Sequence, residues 1–209
     1  MAFLTGTTTD DRIQGTRRED VVFGSDGDDS ILTYGEPQGG GPFAVYRAQA
    51  ADGADIVLAG EGDDRVSTGG GADTIYGGEG DDVITAGAGA DAIFGGLGDD
   101  VFTFGWLGGP SDQADTRTGR NGRDSILDFQ QGSDLIDLSG YAEASGAVWI
   151  GTDRPTNTNE LQVGYRTEGF ATIVEFYAPS DGRGSRAPRL TGEIELLGSV
   201  TLTEGDFVF

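Results

Sequence analysis

Residues 50–103 read as six consecutive nine-residue units: AADGADIVL, AGEGDDRVS, TGGGADTIY, GGEGDDVIT, AGAGADAIF and GGLGDDVFT. The fourth position of each unit is glycine, the sixth is aspartate and the eighth is apolar. The aspartates are Asp55, Asp64, Asp73, Asp82, Asp91 and Asp100. A glycine-rich flexible linker would not keep these residue types in phase, so the period predicts a solenoid with one small supersecondary unit per repeat.

The regular spacing of aspartate and glycine favours a cation in the turns. Glycine lets backbone carbonyls approach one point without a Cβ clash. Ca²⁺ takes six to eight oxygens from carbonyls and carboxylates, which is more than one turn offers. With two units per coil, turns eighteen residues apart lie above one another, so that Asp64 faces Asp82 and Asp82 faces Asp100. The eighth residue follows its aspartate by two and shares its face of a short strand, which points it into the core.

The unit resembles the GGxGxDxUx nonapeptide of the RTX calcium-binding family, which implies a parallel β-roll. The resemblance implies that one unit gives the carbonyls of positions two and four with Asp six, and the unit stacked on it gives those of positions one and three with Asp six. About five or more Ca²⁺ ions are expected. The implied ligand sets are Gly78, Gly80, Asp82, Gly95, Leu97, Asp100; Gly69, Gly71, Asp73, Ala86, Ala88, Asp91; Gly60, Gly62, Asp64, Gly77, Glu79, Asp82; Ala51, Gly53, Asp55, Thr68, Gly70, Asp73; and Thr7, Thr9, Asp11, Gly24, Asp26, Asp29.

The same frame appears in weaker form over residues 6–32, as GTTTDDRIQ, GTRREDVVF and GSDGDDSIL. Asp11, Asp20 and Asp29 hold the sixth position, but Thr9 and Arg18 replace glycine at the fourth. Asp11 and Asp29 are spaced to share an ion, while Arg18 is expected to spoil or replace a site at Asp20. A polar cap without metal is the alternative for this segment. Residues 33–49 break the frame as an inserted loop, whose aromatic residues either cover the roll or form a contact patch.

The nine-residue period ends at residue 103, and residues 104–209 are predicted to form a β-sandwich that caps the roll. Candidate strands are SILDF (125–129), DLIDL (134–138), AVWIG (147–151), ELQVGYR (160–166), FATIVEFY (170–177), GEIELLG (192–198) and DFVF (206–209). The fold class predicted is therefore all-β, a parallel β-roll solenoid of nonapeptide repeats (1–103) followed by a sandwich.

Two further stretches resemble known families. NGRDSILDFQQGSDLIDLSG is similar to the segment that closes the roll in serralysin-type proteases and in the R-modules of alginate epimerases. That resemblance implies a further calcium at Asp124, with Asp115 or Asp112 as partner. The final residues Asp206, Phe207, Val208 and Phe209 resemble the acid-then-apolar export signal of these families, which implies a type I (ABC) exporter and a secreted or cell-surface location; a simple terminal strand is the alternative.

Composition excludes several functions. The chain has 36 acidic residues, 13 basic residues, no histidine and no cysteine, with a net charge of -23. Such acidity argues against nucleic acid and anionic membranes as partners, and no apolar run is long enough for membrane insertion. Without histidine, neither an HExxH zinc site nor a Ser-His or Cys-His pair can form, so the chain is expected not to be an enzyme.

The sequence leaves three functions. The first is an extracellular calcium-binding module whose ion binding drives folding after export. The second is a polysaccharide-binding module like the epimerase R-modules, for which a neutral glycan suits the acidic chain better than alginate. The third is a structural protein of the cell surface or biofilm.

Overall fold

The computed structural model describes residues 1–16, 18–33, 53–105, 122–141, 147–156, 160–178 and 189–209. Seventeen β-strands and one 3₁₀ turn, Glu204–Asp206, make up its regular structure. The strands are β1 (Ala2–Thr5), β2 (Arg12–Gln14), β3 (Asp20–Asp26), β4 (Ser30–Leu32), β5 (Ile56–Glu61), β6 (Arg65–Ser67), β7 (Thr74–Glu79), β8 (Val83–Thr85), β9 (Ala92–Leu97), β10 (Val101–Gly105), β11 (Asp124–Ile126), β12 (Leu135–Gly140), β13 (Ala147–Gly151), β14 (Leu161–Glu168), β15 (Ala171–Ala178), β16 (Arg189–Leu197) and β17 (Phe207–Val208).

The strands alternate between two sheets, as a roll with two units per coil requires. The larger sheet has the order β1-β3-β5-β7-β9-β11-β16-β15-β14-β13, and the smaller has the order β17-β12-β10-β8-β6-β4-β2. Within the repeats every pairing is parallel, and Ile56 pairs with Thr74 and Thr74 with Ala92. The predicted stacking at eighteen residues is therefore confirmed, and the fold is a parallel β-roll.

The core of the roll is a file of side chains from the eighth position of each unit. Each of them is at most 9% exposed, because the position alternates with outward-facing neighbours on a two-residue period. The file comprises Ile13, Val22, Ile31, Val57, Val66, Ile75, Ile84, Ile93 and Phe102, and Ile126 and Ile136 continue it. The apolar phase seen in the sequence is thus the inner face of both sheets.

The insertion does not disturb the stacking on either side of it. Strand β4 pairs with β6 through Ile31 and Val66, and β3 pairs with β5 through Val22 and Val57. The two residues of each pair are 35 positions apart in the sequence instead of 18. The hydrogen bonds from Asp20 to Asp55 and from Asp29 to Asp64 join the same coils and have the same separation. The strands on either side of the insertion therefore keep the phase of the repeat.

The C-terminal strands extend the two sheets of the roll. Strand β11 pairs with β9 and β16, and β12 pairs with β10 and β17. The larger sheet continues with an antiparallel meander, β14-β15-β16, and ends at β13, which pairs in parallel with β14. The predicted capping sandwich is thus made from both roll sheets, and β10 crosses the predicted boundary at 103/104, so the division into two domains stays a prediction.

Candidate metal centre

The aspartates at position six form two rows, one along each edge of the roll where the chain passes between the sheets. We call Asp20, Asp55, Asp73, Asp91 and Asp124 the first row, and Asp11, Asp29, Asp64, Asp82, Asp100 and Asp134 the second row. Apart from Asp11, all of them are at most 2% exposed. This burial is unusual for carboxylates, which are almost never fully buried unless they are paired.

Each row is held together by one repeated hydrogen bond. The backbone N–H of an aspartate donates to Oδ1 of the aspartate in the next coil, for example from Asp64 to Asp82 over 2.8 Å and from Asp82 to Asp100 over 3.0 Å. The same bond joins Asp55 to Asp73 and Asp73 to Asp91, both over 2.8 Å. One oxygen of each carboxylate is thus used by the backbone, and the rows run on without a break.

The second carboxylate oxygen is left over in the middle of the roll. Oδ2 atoms that are buried and accept no hydrogen bond include those of Asp29, Asp64, Asp73, Asp82, Asp91 and Asp100. Leaving a buried charged acceptor unsatisfied is costly. A bound cation removes that cost, and hard oxygen ligands suit Ca²⁺. The orphaned oxygens are therefore the feature of the structure that fits the calcium implied by the sequence.

The same aspartates have raised pKa values. Burial raises the pKa of Asp82 to about 7 and that of Asp73 to about 8, with neighbouring aspartates of the same row adding to the effect. The pKa values of Asp64 and Asp100 are raised to about 6, again mainly by burial. In each case the backbone N–H on Oδ1 acts in the opposite direction. Packing in the roll thus disfavours the ionised, unpaired form of these carboxyls, and either a proton or a cation relieves that cost.

Backbone carbonyls supply the other oxygens of the turns. An ideal Cβ placed on Gly78 would lie 1.9 Å from the carbonyl oxygen of Gly60, and one on Gly80 would lie 2.3 Å from that of Gly62. A Cβ on Gly77 would lie 2.2 Å from Oδ2 of Asp82. Only glycine can hold these positions, which is why the carbonyls and the carboxylates come so close together.

No group of three or more acidic side chains converges on one point among the residues that the structure describes. A cation in these turns would therefore be held by the carboxylates of adjacent coils together with the backbone carbonyls. In the predicted ligand sets, each pair of aspartates is likewise joined by four carbonyls, and these sets stay predictions.

The turns near the two ends of the roll differ from those in the middle. Oδ2 of Asp11 accepts hydrogen bonds from the backbone N–H and the Oγ1 of Thr7, and Oδ2 of Asp20 accepts one from the Thr16 N–H over 2.6 Å. At the other end, Oδ2 of Asp134 accepts one from the Gln130 N–H over 2.7 Å. These carboxylates are satisfied by the protein itself. The Asp20 turn is closed by Thr16, with Arg18 only donating its N–H to Thr16 Oγ1.

The structure links aspartates that the sequence analysis left apart. Asp20 donates to Asp55, and Asp29 to Asp64, across the insertion. Asp124, for which Asp115 or Asp112 was expected as a partner, accepts from the N–H of Asp91 over 2.9 Å and so extends the first row. Asp134, which was not among the candidate ligands, extends the second row. Subtracting the inserted loop from the spacing would have revealed the first two links.

Three of the predicted ligand residues cannot be located in the structure. Ala51, Asp112 and Asp115 lie outside the described residues. Thr9, Asp26 and Glu79 are exposed at the surface of their turns, in positions from which their carbonyls and not their side chains would contribute. The ligand sets as a whole remain predictions.

Acidic side chains outside the two rows have a different environment. Arg166 forms ion pairs with Glu168, with Glu175 over 2.8 Å and with Glu193 over 2.8 Å. The buried Arg123 lies 3.8 Å from Glu168 and 3.7 Å from Glu195. These carboxylates are neutralised by Arg166 on β14 and by Arg123 just before β11, and none is part of the candidate metal centre.

The C-terminal residues are part of the fold. Asp206 is 3% exposed and accepts hydrogen bonds at Oδ2 from the N–H and the Oγ1 of Thr203. The ring of Phe207 lies 4.9 Å from that of Trp149 and 5.7 Å from that of Phe209. The sequence predicted a last strand at these residues, and β17 confirms it; their role as an export signal is a separate matter.

Comparison with known proteins agrees with the repeat analysis. Residues 5–34, 49–84 and 67–102 match the model of the RTX calcium-binding nonapeptide repeat, and this confirms the sequence-based identification of the repeats. No curated protein sequence matches the chain significantly. The chain thus carries RTX calcium-binding repeats in a β-roll.

Similar folds occur among solved structures. The R3 subunit of the mannuronan C5-epimerase AlgE6 from Azotobacter vinelandii matches at 24% identity and a TM-score of 0.46, over 87% of this chain and 79% of that chain. The R2 subunit of the same epimerase matches at 24% identity and 0.46, over 95% and 92%. The extracellular lipase LipA from Serratia marcescens matches at 16% identity and a TM-score of 0.30, over 99% of this chain and 39% of that chain.

The part of the chain that the structure describes contains no helix long and apolar enough to cross a membrane.

Proposed function

We propose that the chain is a non-catalytic, extracellular calcium-binding module that folds when it binds calcium after export. The observation that carries this proposal is the set of buried aspartates whose Oδ2 atoms accept no hydrogen bond. Ca²⁺ would be held by these oxygens together with the carbonyls of the glycine turns. The ion supplies positive charge at the edges of the roll, where the rows otherwise repel.

The coupling between binding and folding follows from the thin core of the roll. Each nine-residue unit buries one apolar side chain at its eighth position, which is worth about 1.5–3 kcal/mol, and only a few units bury a second, smaller one, such as Ala59 or Ala86. Ordering the backbone costs about 1–2 kcal/mol per residue. Hydrogen bonds between the strands offset part of the cost of ordering the backbone. Repulsion between the stacked carboxylates adds to that cost. Since a metal site seldom exists in the unfolded chain, its binding free energy appears as folding free energy.

The test is a calcium titration followed by circular dichroism. We expect the chain to be largely disordered in chelator at neutral pH and β-rich in millimolar calcium, the range of weak extracellular sites. Magnesium at equal concentration should give much less β-structure, because it demands smaller octahedral sites. A spectrum that chelator leaves unchanged would rule out the coupling.

Export through a type I (ABC) exporter is a separate part of the proposal. It rests on the acid-then-apolar residues Asp206–Phe209, and removing them should abolish secretion from a host that carries such an exporter. Leu202→Ala is the matched control, because Leu202 is 4% exposed in the same region but outside the four residues. Secretion of the truncated chain at the level of Leu202→Ala would show that these residues serve only as a strand.

A second candidate is the binding of a neutral polysaccharide, one of the alternatives left by the sequence. It is favoured by the outer face of the larger sheet, where Phe23, Leu58 and Tyr76 are 38–40% exposed although the chain as a whole is highly acidic. Tyr76 stacks on Phe94 at a centroid distance of 4.6 Å. Contiguous exposed apolar patches mark protein, membrane or ligand interaction sites.

Titration with neutral glycans and with alginate tests this second candidate. A ligand on this face should bind the wild type and lose affinity in Leu58→Ser, while Val83→Ser on the smaller sheet should bind as the wild type does. Absence of binding to every glycan tested, or equal loss in both variants, would count against it. The structural role at a cell surface or biofilm stays a prediction of the sequence.

A further inference from the structure

The turns of the roll fall into two conformations that differ at position two, the residue four before the aspartate. In six turns this residue has a positive φ, between +84° and +136°. They are the turns of Ser25, Gly60, Gly69, Gly78, Gly87 and Gly96. In each of these turns, the aspartate that follows has an Oδ2 that is buried without a hydrogen bond. We call these turns open.

Three turns have the other conformation. Position two is Thr7, Thr16 or Gln130, and none of these has a positive φ. In all three the N–H of this residue donates to Oδ2 of the aspartate, Asp11, Asp20 or Asp134. We call these turns closed. The correspondence between the sign of φ and the state of Oδ2 holds in every turn whose position two the structure describes.

Ser25 shows that an open turn does not require glycine at position two. It is the one non-glycine residue with a positive φ among the described residues, at +98°. Non-glycine residues avoid this region, and strained positions of this kind tend to occur at functional sites. Asp29, which follows it, is 2% exposed, and its Oδ2 points into the turn, 2.4 Å from where a Cβ on Gly24 would lie.

The position of Ser25 in the stack explains why a side chain is tolerated there. In the open turns that follow another open turn, a Cβ at position two would collide with the carbonyl oxygen of the previous coil, at 1.8 Å for Gly60 and 2.1 Å for Gly96. Ser25 follows the closed turn of Thr7, so it is the first open turn of its row. The serine therefore starts the series of turns that only glycine can continue.

We infer that the backbone sign at position two decides which turns bind a cation: open turns each hold one ion at Oδ2 of their aspartate, and closed turns hold none. This inference deepens the proposed calcium function and rests on it. The Ser25–Asp29 turn would bind an ion although serine replaces glycine at its position two. The turns of Asp11, Asp20 and Asp134 would be ion-free caps, in which an N–H takes the place of the cation. At least six ions are then expected.

Two matched pairs of variants test the inference, with the number of bound calcium ions counted by native mass spectrometry on the full chain. Asp29→Asn and Asp11→Asn make the same change in adjacent coils of one row. We expect Asp29→Asn to lose one ion and Asp11→Asn to lose none, because an asparagine oxygen can still accept from Thr7. Equal ion counts in the two variants would overturn the inference.

The second pair tests the backbone itself. Ser25→Gly should keep the wild-type ion count, since glycine adopts the positive φ without strain. Ser25→Val should lose one ion, because a β-branched residue strongly disfavours that region. If Ser25→Val folds and keeps all its ions, the backbone sign does not control loading. A wild type that binds no calcium would instead refute the proposed function, so the two failures are distinguishable.

Discussion

Asp82 shows at the scale of one residue how the roll uses a carboxylate. Its Oδ1 accepts the N–H of Asp64, its own N–H donates to Asp100, and its Oδ2 is buried without a hydrogen bond. The neighbouring Asp81 is exposed, and its Oδ1 accepts the N–H of Asp99 over 2.8 Å. The two residues carry the same charge in the same turn, but only Asp82 has an oxygen that is buried without a hydrogen bond, where a cation would satisfy it.

Replacing Asp82 should therefore affect calcium binding far more than replacing Asp81. Asp82→Asn keeps an oxygen for the ladder bond but removes one charged ligand from the middle of the second row, where two neighbouring ions depend on it. We expect calcium affinity to fall about tenfold or more, which corresponds to about 1.4 kcal/mol. Asp81→Asn should change it less than twofold. Isothermal titration calorimetry of both variants measures this, and an equal loss would contradict the assignment of roles.

Single residues also mark where prediction from sequence ended. The pairing of Asp64 with Asp82 followed from the nine-residue period alone. The open turn of Ser25 did not, because the sequence pattern equates positive φ with glycine, whereas the conformation depends on the coil before it. Asp134 was missed since its turn is closed by Gln130 and the spacing to Asp100 is 34 residues.

At the scale of elements, the C-terminal strand β17 closes the smaller sheet against β12. Phe207 is 7% exposed and packs on Trp149, while Val208 next to it is 38% exposed. The strand is only two residues long, so its stability depends on the packing of Phe207 and on the hydrogen bonds of Asp206. A short edge strand of this kind leaves little unpaired backbone for other chains to pair with.

Phe207→Ala should destabilise the calcium-loaded chain by about 3 kcal/mol, the lower end for removing a buried phenylalanine. Val208→Ala is the control in the same strand and should cost less than about 0.5–1 kcal/mol, because its side chain is exposed. Urea unfolding at saturating calcium gives both values. If the two variants unfold alike, β17 is not anchored by Phe207 in solution.

The strands after residue 103 were recognised individually, but their order in the sheets was not. Ala147–Gly151 was predicted with its observed bounds, and the others differ by a few residues. Their pairing depends on long-range contacts, such as that of β11 with β16 through Ser125 and Glu195, for which the sequence has no period. In a repeat, the fixed spacing predicts which strands pair. The strands of the meander have no fixed spacing, so their pairing cannot be predicted in this way.

At the scale of the whole molecule, the net charge of -23 works against compaction. The two rows concentrate part of this charge along the edges of the roll, under the turns. Cations neutralise it where it is densest, and protons can do the same. The state of the chain should therefore depend on calcium and pH together.

The sign of the pH dependence follows from the raised pKa values. Burial raises the pKa values of Asp73, Asp82 and Asp91 in the metal-free roll to about 7 to 8. The pKa of an unperturbed aspartate is 3.8. Between these values the folded chain holds more protons than the unfolded chain. The contribution of these carboxyls to the stability of the metal-free roll is thus fully present below about pH 4 and is lost as the pH rises towards 8.

We therefore expect chelated protein to gain β-structure when the pH is lowered from 8 to 5, as followed by circular dichroism. Calcium must displace the same protons, so the half-saturating calcium concentration should be higher at pH 5 than at pH 8. Asp82→Asn should weaken both trends, because one of the responsible carboxyls is gone, and Asp81→Asn should leave them as in the wild type. A chelated chain with less β-structure at pH 5 than at pH 8, or a calcium midpoint that does not move, would show that the buried rows do not control folding.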